Sequence, residues 1–246
     1  MIILFKGLLI ILYIGMIAMN ILANSIPFFG RTTGEISAKY PTLFTPSGFT
    51  FSIWGIIYVL LAVLVVNLVL MPSDEFAKLS LVFLVSVFVA FTLNGLWLVF
   101  WHADRQFLAT IIIVGYLIAL IIASQTAPDG QVLTRIAIDT NLAWISVATI
   151  ANVTILLYAS NLNLYFSETF YFIAILIVGV ILVALVLMTQ GRIVFALVFL
   201  WAYFGIFMRY INENDVLLYS LTGVGLIIIV SLTAISYFLN NFSLYK

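Results

Sequence analysis

Three short clusters of aromatic and amide side chains are the part of this chain that could do chemistry. They are Phe44, Pro46, Phe51, Trp54 and Tyr58; Asn94, Trp97 and Trp101; and Asn141, Trp144 and Asn152. Amide and indole groups cost free energy in hydrocarbon unless they find hydrogen-bond partners. Aromatic walls with a few fixed polar groups are typical of a site for a large, flat ligand. The clusters therefore favour binding over bond-making.

Composition places these clusters in a membrane. The chain has 246 residues, of which 65% are hydrophobic and 7% are charged, so it is predicted to cross a membrane several times. Its net charge is zero and it has no basic tract, which argues against nucleic acid as a partner. Cysteine is absent and His102 is the single histidine, too few ligands for a transition metal or a bis-histidine haem. We expect no catalytic residue, no metal and no required cofactor.

Long gaps between charged residues predict the elements that carry the clusters. A spanning helix needs about 20 apolar residues, and most gaps satisfy this length. We predict an all-α bundle of about eight transmembrane helices, at roughly 7–26, 49–70, 79–101, 107–125, 136–158, 168–189, 193–210 and 216–239. Residues 27–48, rich in Pro, Gly, Thr and Ser, form a long loop that is expected to act as a lid or an ordered cap.

Helical spacing aligns each cluster along one face. Residues at i, i+3 and i+7 share a face, as Asn94, Trp97 and Trp101 do. If the three faces meet, they form one cavity under the loop. If they point apart, the chain is a scaffold, and its asparagines only join helices through hydrogen bonds. We favour this joining role for Asn94 and Asn152.

Several charged or polar residues have plainer interpretations. Trp101 is expected to be an interfacial anchor. His102, Asp104 and Arg105 are expected to form a solvated turn, because no serine or cysteine nucleophile accompanies them. Asp139 is expected to pair with Arg135 one turn before it. The alternative for Asp139 is a proton-coupling carboxylate.

The clusters resemble the TspO/MBR family of translocator or tryptophan-rich sensory proteins. The run from Pro41 to Tyr58 is similar to that family's proline loop followed by Phe-x-x-x-Trp-x-x-x-Tyr. The run from Leu93 to Phe100 resembles its Leu-Asn-x-x-Trp-x-x-x-Phe third helix. The run from Leu142 to Asn152 resembles its fifth helix. The resemblance departs at the loop, where Phe44 and Ser47 replace a tryptophan and a proline.

The resemblance implies a five-helix core at 1–160, with lid loop 27–48, followed by three additional transmembrane helices at 161–246. It also implies a pocket that opens towards the loop and binds tetrapyrroles or other hydrophobic ligands. Carried over residue by residue, the ligand-binding set is Pro46, Trp54, Tyr58, Asn94, Trp97, Trp144, Ala148 and Asn152.

These expectations lead to a sensor or facilitator for porphyrin-like molecules. The alternatives are a secondary transporter of small solutes and an enzyme that degrades a bound porphyrin. The expected partners are a hydrophobic small molecule and the lipid bilayer, with a homodimer as one option for assembly. The expected location is the bacterial cytoplasmic membrane.

Overall fold

The computed structural model of the chain describes residues 1–26, 28–40, 42–160 and 166–240. Within these residues, eight helices are long and apolar enough to cross a membrane, and the predicted all-α fold is confirmed. The spanning helices are α1 (Ile2–Ser25), α3 (Ile53–Leu70), α5 (Leu81–His102), α6 (Gln106–Thr126), α7 (Val132–Ala159), α8 (Glu168–Gln190), α9 (Ile193–Asn212) and α10 (Val216–Leu239). Two short helices, α2 (Thr33–Lys39) and α4 (Ser73–Phe76), lie between them.

Two spanning helices begin earlier than the charge gaps predict. α1 includes Lys6, whose ammonium donates to the Met71 carbonyl at 2.5 Å. α7 includes Arg135, which pairs with Asp129 at 2.6 Å. Long basic side chains can extend along apolar surface to a polar partner, so a cation near a helix end does not mark that end.

The predicted lid loop contains ordered structure. Thr32 begins α2 with a capping box, in which its hydroxyl accepts from the Glu35 amide and the Glu35 carboxylate accepts from the Thr32 amide. This arrangement satisfies two amide groups that the first turn of a helix otherwise leaves unbonded. A 3₁₀ turn, Gly48–Ser52, then leads directly into α3.

The chain divides into two compact units. Unit 1 contains Met1–Tyr40 and Ile53–Leu156, and unit 2 contains Pro41–Ser52 and Leu157–Lys246. The loop predicted at 27–48 is therefore shared, since its first part belongs to unit 1 and its last part to unit 2. The segment 42–52 packs within unit 2, although it lies between two helices of unit 1 in the sequence.

In unit 1, α5 is the central helix. It packs against α1, α2 and α6, and α1 also packs against α3. Most of its side chains are buried, among them Asn94, Trp97 and Trp101. The second cluster predicted from the sequence thus lies inside the unit.

In unit 2, three helices pack closely around one tyrosine of α9. The Tyr203 side chain is fully buried, and its hydroxyl donates to the Leu176 carbonyl of α8 at 2.5 Å. Gly179 of α8 and Gly225 of α10 lie against its ring. A methyl group added at Gly225 would lie 2.8 Å from a carbon of that ring. Glycine at these positions allows the helices to approach the ring closely.

Candidate functional site

A chain of hydrogen bonds joins all five spanning helices of unit 1, with one residue from each. Tyr58 of α3 donates to the Asn20 side-chain oxygen of α1, and Asn20 donates to Asn94 Oδ1 of α5 at 2.7 Å. Asn94 Nδ2 donates to the Tyr116 hydroxyl of α6 at 3.4 Å. That hydroxyl lies 3.0 Å from Asn141 Oδ1 and 2.8 Å from Asn141 Nδ2 of α7. We call these five residues the amide chain.

The amide chain explains how these groups can lie in an apolar bundle. Asn20, Asn94, Tyr116 and Asn141 are all buried. An amide without a partner in hydrocarbon costs several kcal/mol by the estimates for buried polar groups, and here each amide bonds to a neighbouring helix. Asn94 therefore has the joining role that the sequence favours, and its polar atoms bond to protein in this structure.

A second polar group links α5 to α7. The Trp97 indole nitrogen donates to Asn152 Oδ1 at 3.1 Å, and Asn152 Nδ2 donates to the Ala148 carbonyl at 2.8 Å. Trp97 and Asn152 are buried, whereas the Ala148 side chain is partly exposed. Asn152 is thus used to hold Trp97 in place.

An aromatic group joins α3 to α7. Trp54 stacks on Tyr58 with ring centroids 5.5 Å apart and planes 22° apart. The same ring meets Trp144 edge-on, at 6.2 Å and 86°. Trp54 and Tyr58 are partly exposed, while Trp144 is buried. We call Trp54, Tyr58 and Trp144 the aromatic group.

The structure thus places seven of the eight predicted site residues in unit 1, and all but Asn94 contact another member of the set. They are Trp54, Tyr58, Asn94, Trp97, Trp144, Ala148 and Asn152. Pro46 belongs to unit 2, because the segment that contains it packs on α9.

Trp101 is not the interfacial anchor that the sequence predicts. Its side chain is buried, stacks on Trp97 at 5.4 Å, and donates from its indole nitrogen to the Thr33 carbonyl at 3.3 Å. His102 is buried as well, with Nε2 lying 3.3 Å from the Thr33 hydroxyl. Helix α2 folds over this end of α5 and removes both rings from the surface.

Asp104 holds the other end of α2, so the turn after α5 is more than a solvated connection. Its carboxylate accepts hydrogen bonds from Lys39, from the Tyr40 hydroxyl at 2.6 Å and from Gln106 at 2.9 Å. Burial alone would raise the pKa of Asp104, but these hydrogen bonds outweigh it and lower the pKa to about 2. The hydrogen bond to Asp104 also raises the pKa of Lys39.

The predicted ion pair between Arg135 and Asp139 is replaced by other contacts. Arg135 pairs with Asp129 in the loop before α7. Asp139 is buried and accepts a hydrogen bond from Ser124 of α6 at 2.5 Å. Since α7 carries Asp139 on its buried side, the carboxylate faces a neighbouring helix instead of Arg135.

Sequence reasoning missed Asn20 and Tyr116, two of the five members of the amide chain. Asn20 lies in a mostly apolar helix, and that position was the available signal, because an amide in such a helix needs a partner. Tyr116 lies in the middle of α6, away from the membrane interfaces where tyrosine is enriched, so its position was also a readable signal.

Sequence reasoning also missed a row of residues on α9, spaced at i, i+4 and i+8. Trp201, Gly205 and Arg209 form this row, and all three contact the segment 42–50. We call them the α9 row. The i, i+4, i+8 spacing places them on one helix face and was a readable signal once the segment was known to be the partner.

Comparison with known protein families shows where this chain belongs. A family model described as TSPO-like protein matches residues 6–235. The matched region runs from α1 into α10 and so includes the three helices that the sequence analysis treats as additions to a five-helix core. Comparisons with curated proteins and with solved structures give no significant match.

Proposed function

Because the chain belongs to the TSPO-like protein family, we propose that it is an integral membrane protein that binds a tetrapyrrole or another hydrophobic ligand. The ligand lies against the aromatic group of unit 1, and the protein acts as a sensor or a facilitator for it. We place this activity in the bacterial cytoplasmic membrane.

The observation that carries the proposal is the contact of Trp54 with both Tyr58 and Trp144. Two helices thereby present joined aromatic faces inside the membrane-spanning part of unit 1. Trp54 and Tyr58 keep part of their surface accessible, so a flat ring system can stack there. Aromatic contacts of this kind contribute about 0.5–1.5 kcal/mol beyond the area they bury.

The amides contribute to the site indirectly. Asn94 and Asn152 use their polar atoms within the protein, since Asn94 bonds to Asn20 and Tyr116, and Asn152 holds Trp97. They preorganise the bundle around the aromatic group, and they reduce the ordering that a ligand must impose. Recognition by shape and stacking suits a range of flat hydrophobic ligands.

The test is a fluorescence titration of the detergent-purified protein with protoporphyrin IX. Wild type is compared with Trp54→Leu and Trp144→Leu, each normalised to its own emission without ligand. We expect saturable quenching in wild type and a Kd about tenfold higher in both variants, equivalent to about 1.4 kcal/mol of lost contact.

Phe170→Leu is the matched control, because it removes an exposed ring from α8 of unit 2. It should leave the Kd within twofold of wild type. Linear quenching that all four proteins share would mean partition of the porphyrin into micelles and would contradict the proposal.

A secondary transporter is the second candidate, and the buried carboxylate of Asp139 on α7 is the observation that favours it. Proton-coupled transport predicts that substrate uptake into liposomes follows a pH gradient and is lost in Asp139→Asn. Binding that persists in this variant, without gradient-driven uptake, favours the sensor. Light-dependent loss of porphyrin absorbance in wild type would instead favour an enzyme that degrades its ligand.

A further inference from the structure

One helical span of this protein is shared between the two units. The span Gly48–Leu70 is long and apolar enough to cross a membrane. Its first turn, Gly48–Ser52, belongs to unit 2, and the remainder, α3, belongs to unit 1. Trp54 and Tyr58 lie in the first two turns of α3, directly after the turn Gly48–Ser52.

The α9 row holds the start of this span. The Trp201 indole nitrogen donates to the Thr50 carbonyl at 2.8 Å, and the Ser47 amide donates to the Gly205 carbonyl at 3.1 Å. The Phe49 ring also meets the Trp201 ring edge-on, at 5.5 Å. Carbonyl and amide groups at the beginning of a helical span thus receive partners from a helix that is remote in sequence.

Gly205 sets how closely the two segments approach. A methyl group added at Gly205 would lie 2.7 Å from Thr50 Cγ2 and 2.9 Å from Thr50 Cβ, and still closer to its hydroxyl oxygen. Thr50 is fully buried and has little room to move away. A residue larger than glycine at 205 must therefore displace the first turn of the span.

The preceding residues are held in the same way. One guanidinium nitrogen of Arg209 donates to the carbonyls of Thr42 and Thr45, at 3.0 Å and 2.9 Å. The hydroxyl of Tyr210 donates to the Leu43 carbonyl at 2.6 Å. The backbone of 42–45, immediately before Pro46, is therefore bonded to α9 as well.

We infer that the α9 row contains positioning residues for the ligand. By holding the residues immediately before α3, Trp201, Gly205 and Arg209 support the first turns of the helical span that carries Trp54 and Tyr58, and the affinity for the ligand depends on this support. This inference rests on the proposed function. It also assigns a role to the three helices after residue 157, which is to supply the partner of the segment 42–52.

The test combines ligand binding with hydrogen exchange in the full-length protein. Gly205→Ala pushes on Thr50, and we expect a Kd for protoporphyrin IX about tenfold higher. Hydrogen exchange at the backbone amides of Ser47 and Thr50 should be at least tenfold faster. Backbone amides of residues in the amide chain, such as Asn141, should keep their wild-type exchange rates. Gly15→Ala is the matched control, since a methyl group there meets nothing within 4 Å, and it should change neither quantity.

A second substitution distinguishes displacement of Thr50 from a general loss of stability. Thr50→Ala removes the two atoms nearest to the added methyl group, so the double variant Gly205→Ala with Thr50→Ala should recover binding to within threefold of wild type. If Gly205→Ala does not fold, Trp201→Phe takes its place, because it removes only the donor to the Thr50 carbonyl and part of one ring.

The outcomes distinguish this inference from the proposed function. Faster exchange at Ser47 with an unchanged Kd would overturn the inference and leave the proposed site intact. Unchanged exchange at Ser47 would overturn it too, because the segment would not depend on α9. Absence of saturable binding in wild type would overturn the proposed function and, with it, the inference that rests on it.

Discussion

The two units of this protein use different means to hold apolar helices together. Unit 1 relies on the amide chain, in which five helices contribute one hydrogen-bonding side chain each. Unit 2 relies on close approach, with Tyr203 packed against Gly179 and Gly225. Between apolar helices in lipid there is little hydrophobic driving force, so association depends on hydrogen bonds or on tight packing. Each unit illustrates one of these two solutions.

The difference has a consequence for tolerance to change. A hydrogen-bonded chain fails when one member is removed, because its partners remain buried without a bond. Close packing around an aromatic ring is destabilised when a side chain next to the ring is made larger, because the helices cannot separate without losing their other contacts. We therefore expect unit 1 to be sensitive to deletion of polar groups and unit 2 to be sensitive to added volume.

The largest effect is expected for Asn94→Leu in the middle of the amide chain. The change removes the partner of Asn20 and one donor to Tyr116, and we expect a loss of about 2–3 kcal/mol in the free energy of unfolding. Thermal unfolding in detergent measures it. Thr92→Val on the same helix is the control, because the Thr92 hydroxyl bonds to the Phe88 carbonyl of its own helix. An equal loss of stability in this variant would contradict the prediction that bonds between helices stabilise unit 1.

A smaller loss, about 1–2 kcal/mol, is expected for Gly179→Ala in unit 2. The added methyl group would lie 3.2 Å from the Tyr203 ring carbon that carries the hydroxyl, and closer to the hydroxyl itself. Combining it with Tyr203→Phe should recover part of the stability by removing the nearest atom. Gly7→Ala, which meets no atom within 4 Å, should be neutral. Equal losses at positions 7 and 179 would mean that close packing is not what holds unit 2.

The smallest expected effect is a pH-dependent loss of stability in the first part of the loop predicted at 27–48. The pKa of Asp104 is lowered from 3.8 to about 2, so its contact with Lys39 and Tyr40 favours the folded loop fully above about pH 4. That contribution is lost as the pH falls through about 2. Because Lys39 and Asp104 are partly exposed, solvent screens this ion pair and we expect only a small loss of stability.

Pulsed hydrogen exchange, corrected for the intrinsic effect of pH, measures this loss. Amides of residues 33–40 should lose protection in acid, and Asp104→Asn should show the same loss already at neutral pH. Amides of 42–50 should be unaffected in this range, because Arg209 and Tyr210 bond to backbone carbonyls. Acid-induced exchange in both segments together would show that the loop opens as one piece.

The helices could be predicted from the sequence because hydrophobic length is a local property. Charge-free gaps gave the eight spans, and the errors lie at ends where Lys6 and Arg135 extend along the helix to find partners. The spacing of Trp54 and Tyr58 also predicted their shared face, and the structure stacks them. Features that depend only on the length and the period of one helix can therefore be predicted from the sequence.

Partners that are remote in sequence could not be predicted in this way. Asn20 needed Asn94, 74 residues later, and its position in α1 gives no indication of which helix it meets. The loop was predicted as one lid, yet its two parts bond to Asp104 and to Arg209 respectively. Asp104 and Arg209 are charged residues of types that usually lie at the surface, so the sequence gives no indication of their partners.

The sharing of one helical span between two units also sets an order of events during synthesis. Thr50 precedes Trp201 by 151 residues, and Thr42 precedes Arg209 by 167. At roughly 5–20 residues per second, the ribosome completes the first turn of this span roughly 8–30 s before it makes Trp201. Throughout that interval the carbonyls of Thr42 and Thr45 must be hydrated or held by another protein, so the nascent chain reaches the membrane with a span whose beginning is not yet fixed.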